Sequence, residues 1–192
     1  MNSILLPALG FFLIVTSTAC RSPRASRPTV DPKLEVRRAD MGGVTRCYVV
    51  DRIYVCSIPD ESDLELAQRR GVELVIDLRE EIPTGPDAFD VERGLRDLGL
   101  PYEWIPLPDG GISNASVDRA IELLAAEDRG QVLMFSDTGA RGAMLLAIYR
   151  SSVLGVSRLE ALEDARRFGM KPGASEQQVR QQMIRLANWC TP

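Results

Sequence analysis

The chain has 192 residues, 45% of them hydrophobic, which is enough for one domain with a normal core plus extensions. Its formal net charge of -4 carries no basic surplus of the kind that nucleic-acid binding requires. It contains no histidine, so the commonest general base and the commonest metal ligand are both missing.

Taken in chain order, the first feature is an apolar run from Ile4 to Val15, too short to span a bilayer comfortably, followed by Ser17-Thr18-Ala19-Cys20. A short apolar core ending in small residues reads as an export signal over residues 1–19. The cysteine directly after Thr-Ala resembles the lipidation site of a bacterial lipoprotein, although Ser17 stands where such signals usually carry Leu and the first residues lack Lys and Arg. Export with lipidation at Cys20 is therefore expected, which would leave the protein on a membrane facing the periplasm or the exterior. Plain secretion and a retained anchor are the alternatives. Residues 20–40 read as the anchor and a tether, with three prolines and no periodicity. From Arg21 to Asp40 six basic residues stand against three acidic ones, so the tether could touch anionic headgroups or simply be solvated.

Residues 41–192 are the folded unit. CYVVDRIYVC (Cys47–Cys56) predicts a β-hairpin turning at Asp51-Arg52, with β-branched and aromatic flanks. Such a turn sets Cys47 opposite Cys56 in a non-hydrogen-bonded pair, the closer kind, which suits a cross-strand disulfide. Export permits that bridge. Cys190 pairing with one of the two, or no bridge, are the alternatives, and Asp-Arg is not a preferred hairpin turn pair. A helix is expected from the Pro59–Asp63 stretch to Gly71, then a buried strand over Val72–Leu78 and a loop with two prolines. A second helix is expected over Asp87–Leu98, a strand over Tyr102–Leu107, a loop at Pro108–Asn114 and a helix over Ser116–Glu127. A short buried strand follows at Val132–Phe135, then a helix from near Arg141 to about Leu154. Two more close the chain, the first capped at Ser157 with Glu160 and the second over Ser175–Trp189. This order predicts an α/β domain with a parallel or mixed sheet flanked by helices and preceded by a hairpin.

The stretch VLMFSDTGARGAML (Val132–Leu145) carries the chemistry. It places a tight loop at the carboxyl end of a buried strand, where open α/β sheets put their ligands. The free N–H groups and dipole of the following helix favour an anion. Gly139 permits the turn that aims successive N–H groups inward, and Arg141 offers a planar fork for two oxygens. Asp137, Thr138, Gly139, Ala140 and Arg141 are thus the candidate phosphate-binding residues. If no anion binds, Arg141 instead pairs with Asp137 or a loop carbonyl.

This loop resembles that of the cysteine-dependent tyrosine and dual-specificity phosphatases. It is most similar to a bacterial branch with the signature Cys-x-x-Gly-x-Arg, found alone or fused to metallo-β-lactamase-like domains. The resemblance runs from about Asp51 to Gly169 and is also carried by DRIYVCSIPD (Asp51–Asp60), GVELVIDLR (Gly71–Arg79) and LPYEWIPLPDGGI (Leu100–Ile112). It implies a phosphatase-like fold, with Ser136 at the position of the nucleophilic Cys. The His that commonly precedes that Cys is Phe135, and the hydroxyl residue that often follows the Arg is Gly142. Asp109 falls where the superfamily places its general acid, though it also reads as a turn residue before Gly110-Gly111.

The serine changes the chemistry. A helix N-terminus can lower a thiol's pKa by several units from about 8.5. A serine hydroxyl is far less acidic and needs an adjacent base. The expectation is a domain that is inactive or weakly active, binding a phosphorylated protein or an anionic small molecule. An active phosphatase and a structural domain whose loop binds nothing are the alternatives. No cofactor and no metal site are expected.

Asp137-Thr-Gly-Ala140 matches the four-residue signature of retroviral-type aspartic proteases, but the helix that follows is the wrong context. Asp77 and Arg79 are expected to pair at the rim, Trp104 to lie in the core, and Arg150, Arg158, Arg166 and Arg167 to lie on solvated helix faces.

Overall fold

The computed structural model describes residues 35–83, 90–126, 128 and 130–189, with the side chains of 188 and 189 excepted. The export signal, Cys20, most of the tether and Cys190 lie outside the described residues.

Strands β2 (Cys47–Val50) and β3 (Ile53–Cys56) form the expected hairpin, with Cys47 opposite Cys56 and Val50 opposite Ile53. Asp51 opens the turn at φ 53°, a left-handed conformation that Asp tolerates better than most residues. Ser57 donates to the Arg46 carbonyl at 2.9 Å, which makes the neighbouring 47:56 pair the non-hydrogen-bonded kind. Those two cysteines are 4.2 Å apart at Cα and form a disulfide. The tail of the expected tether adds a strand: β1 (Arg37–Arg38) pairs antiparallel with β2.

The remaining elements follow in the expected order. They are α1 (Glu61–Arg69), β4 (Val72–Asp77), α2 (Val91–Asp97), β5 (Tyr102–Trp104), α3 (Asn114–Ala125), β6 (Gln131–Phe135), α4 (Ala140–Ser152), α5 (Arg158–Arg167) and α6 (Ala174–Trp189). The sheet order is β1-β2-β3-β6-β4-β5, antiparallel through the hairpin and parallel from β3 onward. Several boundaries shift for local reasons. α2 is capped by the Asp90 side chain, which accepts from Arg93 N–H; the expected start at Asp87 lies outside the described residues. α3 starts earlier because Ser113 is its cap. β5 ends at Trp104 because Pro106 and Pro108 cannot donate to a ladder.

The central strand β6 shows how the sheet separates two cores. Val132 and Met134 face one core, completed by α3 to α6, while Leu133 and Phe135 face the other, completed by α1 and α2. α4 lies on the first face and is buried from Gly142 through Arg150. This corrects the expectation for Arg150, which is only 2% exposed. The last turn of α4 is enclosed by α5, whose Asp164 pairs with the guanidinium and whose Glu160 lies 3.8 Å away. Arg158, Arg166 and Arg167 are exposed as expected.

The turn between α5 and α6 is fixed by charge. Glu176 accepts from both Arg166 and Arg180, and these hydrogen bonds, Arg166's first, hold its carboxyl down at about 2. That clamp positions Met170, Lys171 and Ser175, which reappear at the site. No helix among the described residues is long and apolar enough to cross a membrane.

Candidate functional site

The loop Ser136–Gly139 leaves the sheet between β3 and β4, at the carboxyl end of β6. Its floor is backbone. Ser136 N–H donates to the Cys56 carbonyl at 3.3 Å, and Gly139 N–H donates to the Ser136 carbonyl at 3.3 Å. Gly139 takes φ 79° as the N-cap of α4, and a Cβ there would lie 3.2 Å from the Cys56 carbonyl oxygen. Glycine is therefore required twice over, for the left-handed turn and for the close approach. No side chain caps α4, so its first N–H groups keep their capacity for an anion. A Cβ at Gly142 would lie 2.7 Å from Val55 Cγ1, so α4 packs too closely on β3 to admit a hydroxyl side chain there without movement.

Ser136 is 1% exposed, and its Oγ has no hydrogen-bond partner. Among the described residues no base hydrogen-bonds the hydroxyl. Arg141 points across the loop and is occupied by carboxylates. One terminal nitrogen donates to Asp137 at 2.5 Å, the other donates to Asp109 at 3.0 Å, and Glu80 stands 3.8 Å away. Arg141 Nε is buried and has no partner. Asp109 sits in the turn closed by Gly111 N–H to the Pro108 carbonyl, and its own N–H donates to Glu80 at 3.4 Å. Thus the structure brings together Ser136, the candidate loop residues and Asp109. Glu80 is an addition that nothing in its local sequence marks. A cleft of about 450 Å³ opens over the loop, with Asp109, Asp137, Thr138, Arg141, Met170 and Lys171 among its walls.

Beneath the loop lies the expected pair. Asp77 is fully buried and Arg79 3% exposed, joined by bidentate hydrogen bonds of 2.6 to 3.0 Å. Arg79 N–H and the Tyr102 hydroxyl also donate to Asp77, at 2.9 and 3.1 Å. Burial pushes the Tyr102 phenol well above its usual value, and the Asp77 charge adds to the rise. For Arg79 burial acts downward, but the hydrogen bonds and charge of Asp77 more than offset it and leave the guanidinium raised. The Arg79 guanidinium lies 5.2 Å from the Phe135 ring centre, stacking on the residue that leads into Ser136. Trp104 is a correction. It is 45% exposed rather than core, because β5 is an edge strand and the indole N–H is held by the Arg79 carbonyl at 2.9 Å. Among the described residues no cluster of three or more His, Cys, Asp or Glu could hold a metal ion.

No family model matches the sequence, and no curated protein matches it. Solved structures do match the fold. TpbA from P. aeruginosa superposes with a TM-score of 0.67 at 22% identity, over 83% of this chain and 98% of that one. The fold is that of the cysteine-dependent tyrosine and dual-specificity phosphatases. A Cys-to-Ser variant of TpbA in complex with pTyr gives a TM-score of 0.58 at 23% identity, over 86% and 99% of the two chains. PTPMT1 in complex with PI(5)P gives 0.62 at 18% identity, over 81% and 99%. Within this phosphatase fold, the loop Ser136–Gly139 connects β6 to α4, and the terminal guanidinium nitrogens of Arg141 face three carboxylates of the same chain.

Proposed function

We propose that this is a catalytically silent phosphatase-fold domain, exported and lipid-anchored through Cys20, that holds an oxyanion-bearing ligand in the Ser136–Arg141 loop without hydrolysing it. The ligand is a phosphorylated protein or an anionic small molecule. The observation that carries the silence is the buried Ser136 Oγ with no hydrogen-bond partner. Ser136 takes the nucleophile position of the fold, and a serine there needs a base that the loop does not supply. A phosphoserine formed at that position would also be a poor leaving group for the second step.

Binding is supported by what the loop keeps. Gly139 holds the turn, α4 starts without a side-chain cap, and Arg141 reaches over the loop. The TpbA variant lends support, since a Cys-to-Ser form of a fold neighbour holds pTyr. Vanadate titrated calorimetrically into the full chain is expected to bind, and Arg141→Ala to weaken it about 10- to 100-fold, the worth of charge-assisted hydrogen bonds. Equal binding by the two proteins would contradict the assignment.

Export and anchoring rest on the Cys20 signal, and the Cys47–Cys56 disulfide fits an oxidising compartment. Membrane fractionation is expected to find the protein in the pellet and Cys20→Ser in the soluble fraction. Retention of Cys20→Ser on the membrane would remove the lipid anchor from the account.

A further inference from the structure

The geometry assigns Asp109 and Asp137 a role as internal ligands of Arg141, forming a carboxylate gate that an incoming oxyanion must displace and that selects oxyanions carrying a cationic neighbour. This deepens the oxyanion-binding reading and rests on it.

A guanidinium recognises a carboxylate and a phosphoryl group with the same planar fork. In this chain both terminal nitrogens of Arg141 are already engaged, one by Asp137 at 2.5 Å and the other by Asp109 at 3.0 Å. The two carboxylates come from different loops, 28 residues apart in number, so the contact ties the turn after β5 to the loop after β6. Glu80, after β4, stands 3.8 Å from the same nitrogen as Asp109 and accepts the Asp109 N–H. Three loops at the carboxyl ends of three neighbouring strands thus converge on one cation.

The exposures show which side of the contact can move. The Arg141 side chain is 14% exposed, whereas Asp109 is 89% and Asp137 54% exposed. The guanidinium is set in the wall of the cleft, and the aspartates can turn out to water. Solvated ion pairs of this kind are cheap to break. The contact therefore behaves as a displaceable plug.

Charge fixes what can displace it. Three carboxylates surround the Arg141 guanidinium, while Lys171 lines the cleft farther along and Arg46 lies beside its wall residue Gly169. A dianion that reaches Arg141 alone meets the three carboxylates gathered there, and like charges at close range cost affinity. A ligand with a positive group beside its phosphoryl offers each carboxylate a replacement partner as it takes Arg141. A phosphotyrosine flanked by lysine fits that requirement, and one flanked by glutamate does not.

The test is calorimetry on the full chain with vanadate, then with two phosphotyrosine peptides differing only in lysine or glutamate flanks. The variants are Asp109→Asn, Asp137→Asn, their double and the double with Arg141→Ala. Wild type is expected to prefer the lysine-flanked peptide. The double variant should bind vanadate about tenfold more tightly or better and lose most of that preference. Arg141→Ala in the double background should abolish the gain. If wild type binds and the aspartate variants bind no tighter, the gate is overturned while the oxyanion-binding reading stands. If no protein in the series binds vanadate or either peptide, both fall. A gain that survives Arg141→Ala also overturns the gate, because the affinity then comes from elsewhere. Thermal unfolding of each single variant confirms that its fold is retained before its binding is compared.

Discussion

Arg79→Ala is expected to destabilise the domain by about 3 kcal/mol, toward the lower end of what breaking a buried ion pair costs. Asp77 is fully buried, and losing the guanidinium removes the bidentate partner that makes a charge tolerable there. Two donors survive the substitution, the residue 79 N–H and the Tyr102 hydroxyl, which is why the upper end of the range is not expected. The truncation also removes the contact 5.2 Å from the Phe135 ring, just before Ser136. Urea denaturation reads the loss. Replacing both partners with apolar residues of similar size, as in Asp77→Leu with Arg79→Met, should recover most of it, because the uncompensated charge goes as well. A double variant no more stable than Arg79→Ala would show that the pair stabilises the fold by more than mutual neutralisation.

Ser136→Cys is expected to raise aryl-phosphate turnover by about 100-fold or more over the serine protein. A thiol is partly ionised near neutral pH and intrinsically nucleophilic, and a helix N-terminus deepens that ionisation. The uncapped start of α4 and the Gly139 turn are both in place at this loop. The gain should stop short of an efficient enzyme. Asp137 and Asp109 occupy the Arg141 fork, and their negative charge opposes a thiolate beside them. Adding Asp137→Asn to Ser136→Cys should therefore raise turnover further. A cysteine variant as inert as the serine protein would mean that the loop, and not the missing thiol, limits the chemistry.

The sheet and the loop were legible because their signals are local. The apolar run Val132–Phe135 and the glycine at 139 each determine conformation within a few residues. The hairpin register followed from turn length, so the 47:56 pairing could be read before any contact was known. What was not legible depended on distant parts of the chain. Arg150 looks like a solvated helix residue until α5 closes over it with Asp164. The apolar run from Ala143 to Tyr149, with no polar face, was the available sign that α4 is enclosed on all sides. Trp104 has the composition of a core residue, but its exposure depends on β5 being the sheet's edge, a matter of strand order. Asp109 and Arg141 are 32 residues apart, and neither flanking sequence indicates that they meet. Arg141 therefore read as an anion ligand or as a partner of Asp137, while its tie to the other two loops required the fold.

A buried serine without a base should not turn over phosphate esters. The most direct measurement is phosphate release from an aryl phosphate at high protein concentration, comparing the native chain with Ser136→Ala. Release at background is expected from both, with no burst of one product per chain. Release by the native chain that disappears in Ser136→Ala would contradict it and make Ser136 a working nucleophile.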